Sequence, residues 1–449
     1  MDHGVDDGRS AWGVIRSDVA AVWAFRAACA AALPLYFVFG RHQWFVRDDW
    51  DLLIGREHIL RSRGWQHWLF DAQAGHWLTV PVLVFHQAER WFGLGSYWPF
   101  LVPAMAAHFA AVLLARNLCR RSGVSAWSTT LVSTLLLVFG AGWENMIFAV
   151  QISFNLSLVA FLAQLVLTDH VGPVNRRDVL AAGIALVGLA SSGFGPIFIF
   201  GVFVHLVLRR RWTAVMVVVV PQVVVYGWWF VFWEADSAAR PGNQSQLPTF
   251  VVHGITTLFD GLAGVSGVAG LVVLGVLVTL LARSFPARVR SLFLALGSTM
   301  VVMYGAIAFE RVGLDPTLAT SSRYTYMAAF VIAPVFAMSV DRLGQLSPTL
   351  RRVGLVLVFA SIALNLSTLD RLSVEWSQQT SSQRETFELV AGSGLASSAV
   401  DDRPFFPESA AVRPSVLAEL VRRGALDPRT LVTPGEFQLA RQALGLAGP

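Results

Sequence analysis

The chain has 449 residues, of which 55% are hydrophobic and 14% charged, and its formal net charge is +5. A soluble protein would carry roughly 25% charged residues, so the composition excludes an ordinary soluble enzyme. All the basic residues other than histidine are arginines, and they lie in loops beside apolar runs. We therefore interpret the positive charge as a topology signal and expect no nucleic-acid partner.

Apolar runs of about 20 residues recur along the chain, which predicts an all-α, polytopic bundle of transmembrane helices. The chain then divides into a cytoplasmic segment 1–18, a transmembrane domain 19–369 and a small extracytoplasmic tail 370–449. About eleven spans are predicted, at 19–40, 98–115, 126–142, 146–168, 179–192, 196–208, 212–233, 262–281, 290–309, 325–340 and 353–369.

Arginine is unevenly distributed between alternate loops. One set is short and arginine-dense, with its arginines beginning at Arg116, Arg176, Arg209, Arg283 and Arg342. The positive-inside rule makes that set cytoplasmic, so the amino terminus lies inside and the carboxyl terminus outside a cell (plasma) membrane. Every motif that suggests chemistry then falls on the extracytoplasmic side.

The first outer loop, 41–97, begins with an acidic cluster, Arg47-Asp48-Asp49-Trp50-Asp51. A carboxylate near the bilayer centre costs roughly 3 kcal/mol, so this cluster predicts a wet, polar pocket at the interface. Asp48 and Asp49 are candidates for a general base, or for binding a polar acceptor or a metal, because adjacent carboxylates raise each other's pKa. The alternative is that they cap the next helix, a role that Asp51 also suits.

Two segments of this loop, 50–63 and 76–92, have the amphipathic pattern of short helices lying in the membrane interface. Between them, Gly75-His76-Trp77 offers His76 and Trp77 as substrate contacts. The spacing of the loop's histidines matches no standard metal site, so we predict none there.

Two further outer motifs carry polar residues. Glu144, Asn145 and Gln151 lie at the outer end of a span, where they would either bind substrate or form hydrogen bonds between helices. Arg323 and Tyr324 precede a later span, and Arg311 lies in the same outer region. A guanidinium suits a lipid-linked phosphate because it donates two parallel hydrogen bonds, although such an arginine can also simply snorkel to the interface.

Four short motifs now suggest a family: Arg47-Asp48-Asp49-Trp50, Gly75-His76-Trp77, Trp143-Glu144-Asn145 with Gln151, and Ser322-Arg323-Tyr324. With the topology, they resemble the GT-C integral membrane glycosyltransferases, in particular uncharacterised bacterial membrane proteins grouped with that superfamily. The resemblance covers roughly residues 15–370. It departs from larger members because the later outer loops are short and no sizeable soluble domain is present.

The resemblance implies a GT-C-like fold and an inverting transfer of a sugar from a polyprenyl-phosphate-linked donor. The acceptor would be a cell-envelope glycan, lipid or protein. Asp48 would be the base and Asp49 secondary, while Arg323 and then Arg311 would hold the donor phosphate. No cofactor is required, although some relatives use a divalent cation, which Asp48, Asp49 and Glu144 could bind.

Two other readings stay open at the level of sequence. One is a transporter or flippase for a lipid-linked or polar solute, favoured by the short spans that Ser191-Ser192-Gly193-Phe194-Gly195-Pro196 interrupts. Transporters usually contain internal repeats, and we find none here. The other is a non-catalytic membrane assembly factor that shares the scaffold.

Overall fold

The computed structural model describes residues 7–234, 244–267, 270, 285–311, 313, 315–399, 401–426, 430–431 and 433–446. All regular elements among these residues are helices, apart from one isolated bridge between Gln73 and His76. The α-helices of the first part are α1 Asp7–Gly40, α2 Asp48–Trp50, α3 Arg56–Arg63, α4 Trp65–Phe70, α5 Thr79–Phe92, α6 Trp98–Arg121, α7 Ala126–Leu137, α8 Glu144–Ile147, α9 Ile152–Thr168, α10 Arg176–Leu189, α11 Gly195–Leu208, α12 Trp212–Ala214 and α13 Val220–Trp233. Those of the second part are α14 Leu247–Ala263, α15 Ala287–Arg311, α16 Ser322–Leu346, α17 Pro348–Ser393, α18 Pro414–Arg422 and α19 Pro434–Ala443.

Seven helices of the described chain are long and apolar enough to cross a bilayer, which confirms the predicted helical membrane bundle. They are Ser17–Gly40, Trp98–Arg121, Ala149–Thr168, Trp212–Trp233, Ala287–Arg311, Ser322–Leu346 and Pro348–Ser393. Three shorter apolar helices, α7, α11 and α14, pack among them. Most of the predicted span 262–281 lies outside the described residues.

Helix α14 was not predicted, since its sequence was assigned to an outer loop. Its 17 residues extend about 26 Å at 1.5 Å per residue, slightly less than the hydrocarbon core of a bilayer. The predicted span 179–192 corresponds to α10, which ends at Leu189 because Ser191-Ser192-Gly193 turns the chain back into α11.

Helix α16 lies at the centre of the bundle. Of an apolar stretch of 18 residues in α16, 72% is buried inside the protein, against 22% of the corresponding stretch in the peripheral α1. Its first turn carries Ser322, Arg323 and Tyr324, so the most enclosed helix of the bundle presents these side chains where the first loop, 41–97, also lies. We call this the first-loop end of the bundle.

Helix α17 continues well past the predicted end of its span at 369. A helix of 46 residues is about 69 Å long, more than twice the thickness of the bilayer core. A buried stripe at spacings of three and four runs along it without a break, through Ser361, Asn365, Leu369, Ser373, Trp376, Thr380, Gln383 and Phe387. The predicted domain boundary at 370 therefore falls inside one helix.

The residues after α17 pack back onto the first loop. Arg423 forms an ion pair with Glu89 at 2.7 Å, and Arg61 forms one with Glu419 at 3.4 Å. Exposed pairs of this kind contribute less than about 1 kcal/mol each, so they orient the tail more than they stabilise it.

Candidate functional site

Asp48 opens the helical run that follows α1, and its position depends on a constrained neighbour. Arg47 has φ of 50°, a left-handed conformation that costs a non-glycine residue about 1 kcal/mol or more. The buried hydroxyl of Ser409, in the tail, accepts a hydrogen bond from the Arg47 amide at 3.0 Å. The Arg47 guanidinium lies 4.9 Å from the ring centre of Trp376, so α17 and the tail together hold the backbone that presents Asp48.

Asp49 has a different environment from Asp48 because its side chain is fully buried, whereas Asp48 is exposed. One carboxylate oxygen accepts hydrogen bonds from the Tyr97 hydroxyl (2.9 Å) and the Val46 amide (3.3 Å), and the other accepts one from the Val150 amide (3.1 Å). Burial raises the pKa of Asp49 well above its usual range, against these donors, which lower it. Asp49 thus connects the first loop to the segment that leads into α9.

Replacing Asp49 with Ala is expected to lower the free energy of unfolding by roughly 3 kcal/mol or more, because buried donors then lose their acceptor at about 1–3 kcal/mol each. Thermal unfolding followed by tryptophan fluorescence in detergent would measure this as a lower Tm. Asp48→Ala is the matched control, since that neighbouring carboxylate is exposed and its loss is expected to leave Tm nearly unchanged. Equal losses of Tm in the two variants would contradict the connecting role.

A cavity of about 220 Å³ opens beside Asp48. Its wall contains two carboxylates, Asp48 and Asp51, and two guanidiniums, Arg311 and Arg323. Of the predicted site residues, those that line it are Asp48, His76, Gln151, Arg311, Arg323 and Tyr324. The fold therefore brings together residues that are more than 270 positions apart in the sequence. The cavity has the charge pattern of a site that binds an anion next to a carboxylate able to accept a proton.

His76 reaches the cavity from a tight hairpin. Gln73 and His76 exchange both backbone hydrogen bonds at 3.0 Å, and the two residues between them, Ala74 and Gly75, both have positive φ, at 51° and 77°. That is a type I′ turn, for which glycine at the second position is favoured. Burial and the nearby guanidiniums of Arg311 and Arg323 lower the pKa of His76 to about 4, so the imidazole is neutral at pH 7.

Gly193 leaves the space that this imidazole occupies. A Cβ atom at position 193 would lie 2.2 Å from His76 Nδ1, a distance that no methyl group tolerates. We expect Gly193→Ala to displace the ring and lower the affinity of any ligand in the cavity by about tenfold, or 1.4 kcal/mol. Titration of the ligand in lipid nanodiscs would measure this effect.

Gly183, in α10, provides the control for that substitution. A Cβ there meets no atom within 4 Å, and alanine is the better helix former, so Gly183→Ala should keep affinity and stability at wild-type values or slightly above. Unchanged affinity in Gly193→Ala would show that the position of His76 does not matter for binding.

The two arginines of the cavity differ in their partners. Arg323 Nε donates to Ser321 Oγ at 3.2 Å and lies 3.8 Å from a carboxylate oxygen of Glu144, which also accepts a hydrogen bond from Ser322 at 2.9 Å. Arg311 forms no hydrogen bond or ion pair with any residue that the structure describes. None of these residues therefore competes with an anion for its guanidinium by a hydrogen bond or an ion pair.

Gln151 adds a neutral group to the wall. Its side chain is 1% exposed and its amide oxygen has no hydrogen-bond partner among the described residues. Buried polar atoms without a partner are uncommon in native proteins, and a ligand that donates a hydrogen bond would satisfy this one.

Two of the predicted contacts lie behind the cavity wall. Asn145 is buried and its side-chain amide donates to Asn155 Oδ1 at 3.1 Å, joining α8 to α9. Trp77 stacks on Trp229 with ring centres 5.6 Å apart, and its indole N–H donates to Thr79. Asn145 thus braces α9, which carries the lining residues Ser153 and Phe154, and Trp77 fixes the segment after the His76 hairpin against α13.

Sequence reasoning missed the importance of Arg56, which the amphipathic pattern placed on a polar face. Its side chain is buried, and it donates to the carbonyl oxygens of Trp68 and Asp71 and to Gln73 Oε1. It thereby fixes the His76 hairpin from behind. Asp51, which the sequence suggested as a cap or first-turn acid, lies in the first turn of the helical segment Asp51–Gly55 and also lines the cavity. Burial, followed by the charge of Asp48, raises its pKa.

The acids suggested as cation ligands do not fit a metal ion as a set. Both oxygens of Asp49 accept protein hydrogen bonds, and Glu144 interacts with Ser322 and Arg323. Within the described part of the chain, no group of three His, Cys, Asp or Glu side chains is placed to hold a metal ion.

Comparison with known proteins depends on structure, since no protein-family model and no curated protein matches this sequence. The crystal structure of ArnT from Cupriavidus metallidurans in the apo state aligns over 91% of this chain and 90% of its own, with a TM-score of 0.56 and 13% identity. The structure of ArnT bound to undecaprenyl phosphate aligns over 93% and 87%, with a TM-score of 0.52 and 12% identity. The chain therefore has the fold of ArnT, which is a GT-C glycosyltransferase. This confirms the fold that the motifs implied, and identities this low show the fold alone.

Proposed function

We propose that this GT-C protein is a membrane glycosyltransferase that moves a sugar from a polyprenyl-phosphate-linked donor to an acceptor on the extracytoplasmic face. The observation that carries the proposal is the cavity in which Asp48 and two arginines converge, at the end of a multi-pass bundle. The fold supports it, because one of its structural neighbours, ArnT, binds undecaprenyl phosphate.

In the proposed reaction, Asp48 acts as the general base. It accepts the proton of an acceptor hydroxyl, whose oxygen forms a bond to the anomeric carbon of the sugar. The bond between that carbon and the phosphate oxygen breaks, and polyprenyl phosphate leaves with one more negative charge. A single displacement of this kind inverts the anomeric centre, and a positioned base contributes about 10²- to 10⁴-fold to such a step.

Arg311 and Arg323 would hold the departing phosphate. Two guanidiniums can stabilise the charge that develops as the bond to the anomeric carbon breaks, and this requires no nucleophile on the protein. Arg311 has no competing protein partner among the described residues, whereas Arg323 is shared with Glu144. We assign Asp49 a positioning role, since its oxygens are already bonded to the protein.

The site also contains groups that can orient a sugar. Neutral His76, Gln151 and Tyr324 offer hydrogen-bond donors and acceptors without formal charge. We expect them to contact sugar hydroxyls, with the amide oxygen of Gln151 as one acceptor.

The experiment that tests the proposal is sugar transfer by purified full-length protein in lipid nanodiscs, with labelled polyprenyl-phosphate sugars as donors. The expected result is release of polyprenyl phosphate that depends on the acceptor, with inversion at the labelled carbon. No transfer and no hydrolysis over a panel of donors, by protein that binds polyprenyl phosphate, would overturn the proposal. Movement of the intact donor across the bilayer, measured with the same protein in sealed vesicles, would establish the transporter or flippase reading.

A further inference from the structure

A second and larger cavity, of about 880 Å³, lies at the first-loop end of the bundle. It is formed by the turn Gly140–Gly142, helix α14, the start of α16 and residues 365–372 of α17. Its volume is within the range of sites that bind small ligands, about 300–1,000 Å³. The reaction proposed above does not use these residues.

Hydroxyl groups dominate the polar part of this lining. They include those of Thr256, Thr257, Thr320, Ser322, Thr325 and Thr368. A hydroxyl both donates and accepts, so such a wall matches a ligand that is itself covered with hydroxyls. Trp143 adds an aromatic surface against which the apolar side of a sugar ring can pack, and it is supported by Trp376 with ring centres 5.1 Å apart.

Two formally charged residues line the cavity, and both have protein partners. Asp260 accepts hydrogen bonds from the amides of Gly267 and Gly270, each at 2.7 Å. Arg371 forms an ion pair with Glu375 at 3.0 Å. The larger cavity is lined by one formal cation and one formal anion, and the cation is paired with Glu375, whereas the smaller cavity is lined by two guanidiniums, those of Arg311 and Arg323. The balanced charge and the many hydroxyl groups of the larger cavity favour an uncharged ligand.

The two cavities meet at one pair of residues in α16. Ser322 lines the larger cavity and Arg323 the smaller, and a single carboxylate oxygen of Glu144 lies 2.9 Å from the Ser322 hydroxyl and 3.8 Å from Arg323 Nε. A sugar hydroxyl that replaced Ser322 as the partner of Glu144 would bring a ligand of the larger cavity next to the site of the donor phosphate.

We propose that the larger cavity binds a neutral carbohydrate, which is the glycan part of the acceptor. The inference rests on the proposed glycosyltransferase function and narrows the acceptor from a glycan, a lipid or a protein to a glycan. The terminal sugar of that glycan would present its hydroxyl across the Ser322–Glu144 contact towards Asp48.

Calorimetric titration of the full-length protein in nanodiscs tests the inference, with neutral trisaccharides of glucose, mannose, galactose and arabinose as probes. We expect at least one to bind, and we expect Thr257→Phe, which places a phenyl ring inside the cavity, to weaken that binding by about tenfold or more. Val252→Phe is the matched control, because it adds the same ring to the same helix at a side chain that is 58% exposed and outside the lining.

Three results would overturn the inference. The first is that no neutral trisaccharide binds, and the second is that Thr257→Phe and Val252→Phe bind it equally well. The third is that phosphatidylglycerol, supplied in vesicles, is the probe whose binding Thr257→Phe weakens, while the trisaccharides do not bind. The cavity would then be a site for an anionic lipid.

Measuring trisaccharide binding and sugar transfer on the same protein distinguishes loss of the glycan site from loss of the proposed function. Transfer to water or to a non-glycan acceptor, without binding of any trisaccharide, would keep the glycosyltransferase and remove the glycan site. Trisaccharide binding that Thr257→Phe weakens, in a protein that transfers no sugar, would do the reverse.

Discussion

Asp48→Asn is expected to reduce the rate of sugar transfer by about 10²- to 10⁴-fold, the contribution typical of a positioned general base. The amide has nearly the same shape as the carboxylate but cannot accept the proton of the acceptor hydroxyl. Donor binding should be kept, because removing a negative charge from the cavity leaves Arg311 and Arg323 in place. Single-turnover transfer of a labelled sugar would give the rate, and donor titration the affinity.

Asp51→Asn is the informative comparison for that variant. Asp51 lines the same cavity and differs from Asp48 by three positions, but it lies one turn further along the helix and is half-buried. If Asp48 is the base, Asp51→Asn should lower the rate much less. If Asp51→Asn abolished sugar transfer while Asp48→Asn turned over at a near-normal rate, Asp51 would be the base instead of Asp48.

The sequence predicted much of the site because the relevant residues share a physical signature. Asp48, Arg311 and Arg323 are charged side chains at the ends of apolar runs, and arginines elsewhere placed all three on one side of the membrane before any contact was known. The structure brings the three to one cavity.

Other features could not be predicted, because they depend on partners that are distant in the sequence. The periodicity of residues 50–63 exposes Arg56, but carbonyl groups of α4 and of the segment after it fold over this helix and bury its guanidinium. Asp48 and Asp49 are adjacent and identical in type, yet a helix turns one outward and the other onto Tyr97 and Val150. Spacing along one helix contains no information on such contacts.

The start of the tail carried a helical spacing that its polar composition obscured. Its Ser-, Thr- and Gln-rich composition after residue 370 indicated a separate polar unit. The spacing of Leu369, Ser373, Trp376 and Thr380 was already helical and continued that of the preceding span. Small polar side chains can face a protein interior when their hydroxyls bond to carbonyl groups of their own helix, as those of Ser373 and Thr380 do.

The second large effect is expected for Arg311→Ala, which should lower the rate of transfer by about 10²- to 10³-fold, the loss typical of removing one charge-stabilising donor. The reason is that the phosphate gains a full negative charge as the sugar leaves it, so a guanidinium stabilises the transition state more than the bound donor. The loss should therefore appear in kcat more than in KM. Arg311→Lys keeps the charge but not the two parallel donors, and an intermediate rate is expected.

Variants of Arg323 and Arg90 test whether the effect of Arg311→Ala on kcat is specific to the cavity. Arg323→Gln should also reduce kcat, but less, because part of its charge is already balanced by Glu144 at 3.8 Å. Glu144→Gln releases Arg323 from that partner, and donor affinity should then rise. Arg90 is an exposed arginine of the first loop that does not line the cavity, and Arg90→Ala should leave kcat unchanged. An equal fall in kcat for Arg90→Ala and Arg311→Ala would mean that the arginines act through the general positive field of this face, and the assignment of a phosphate site to the cavity would be wrong.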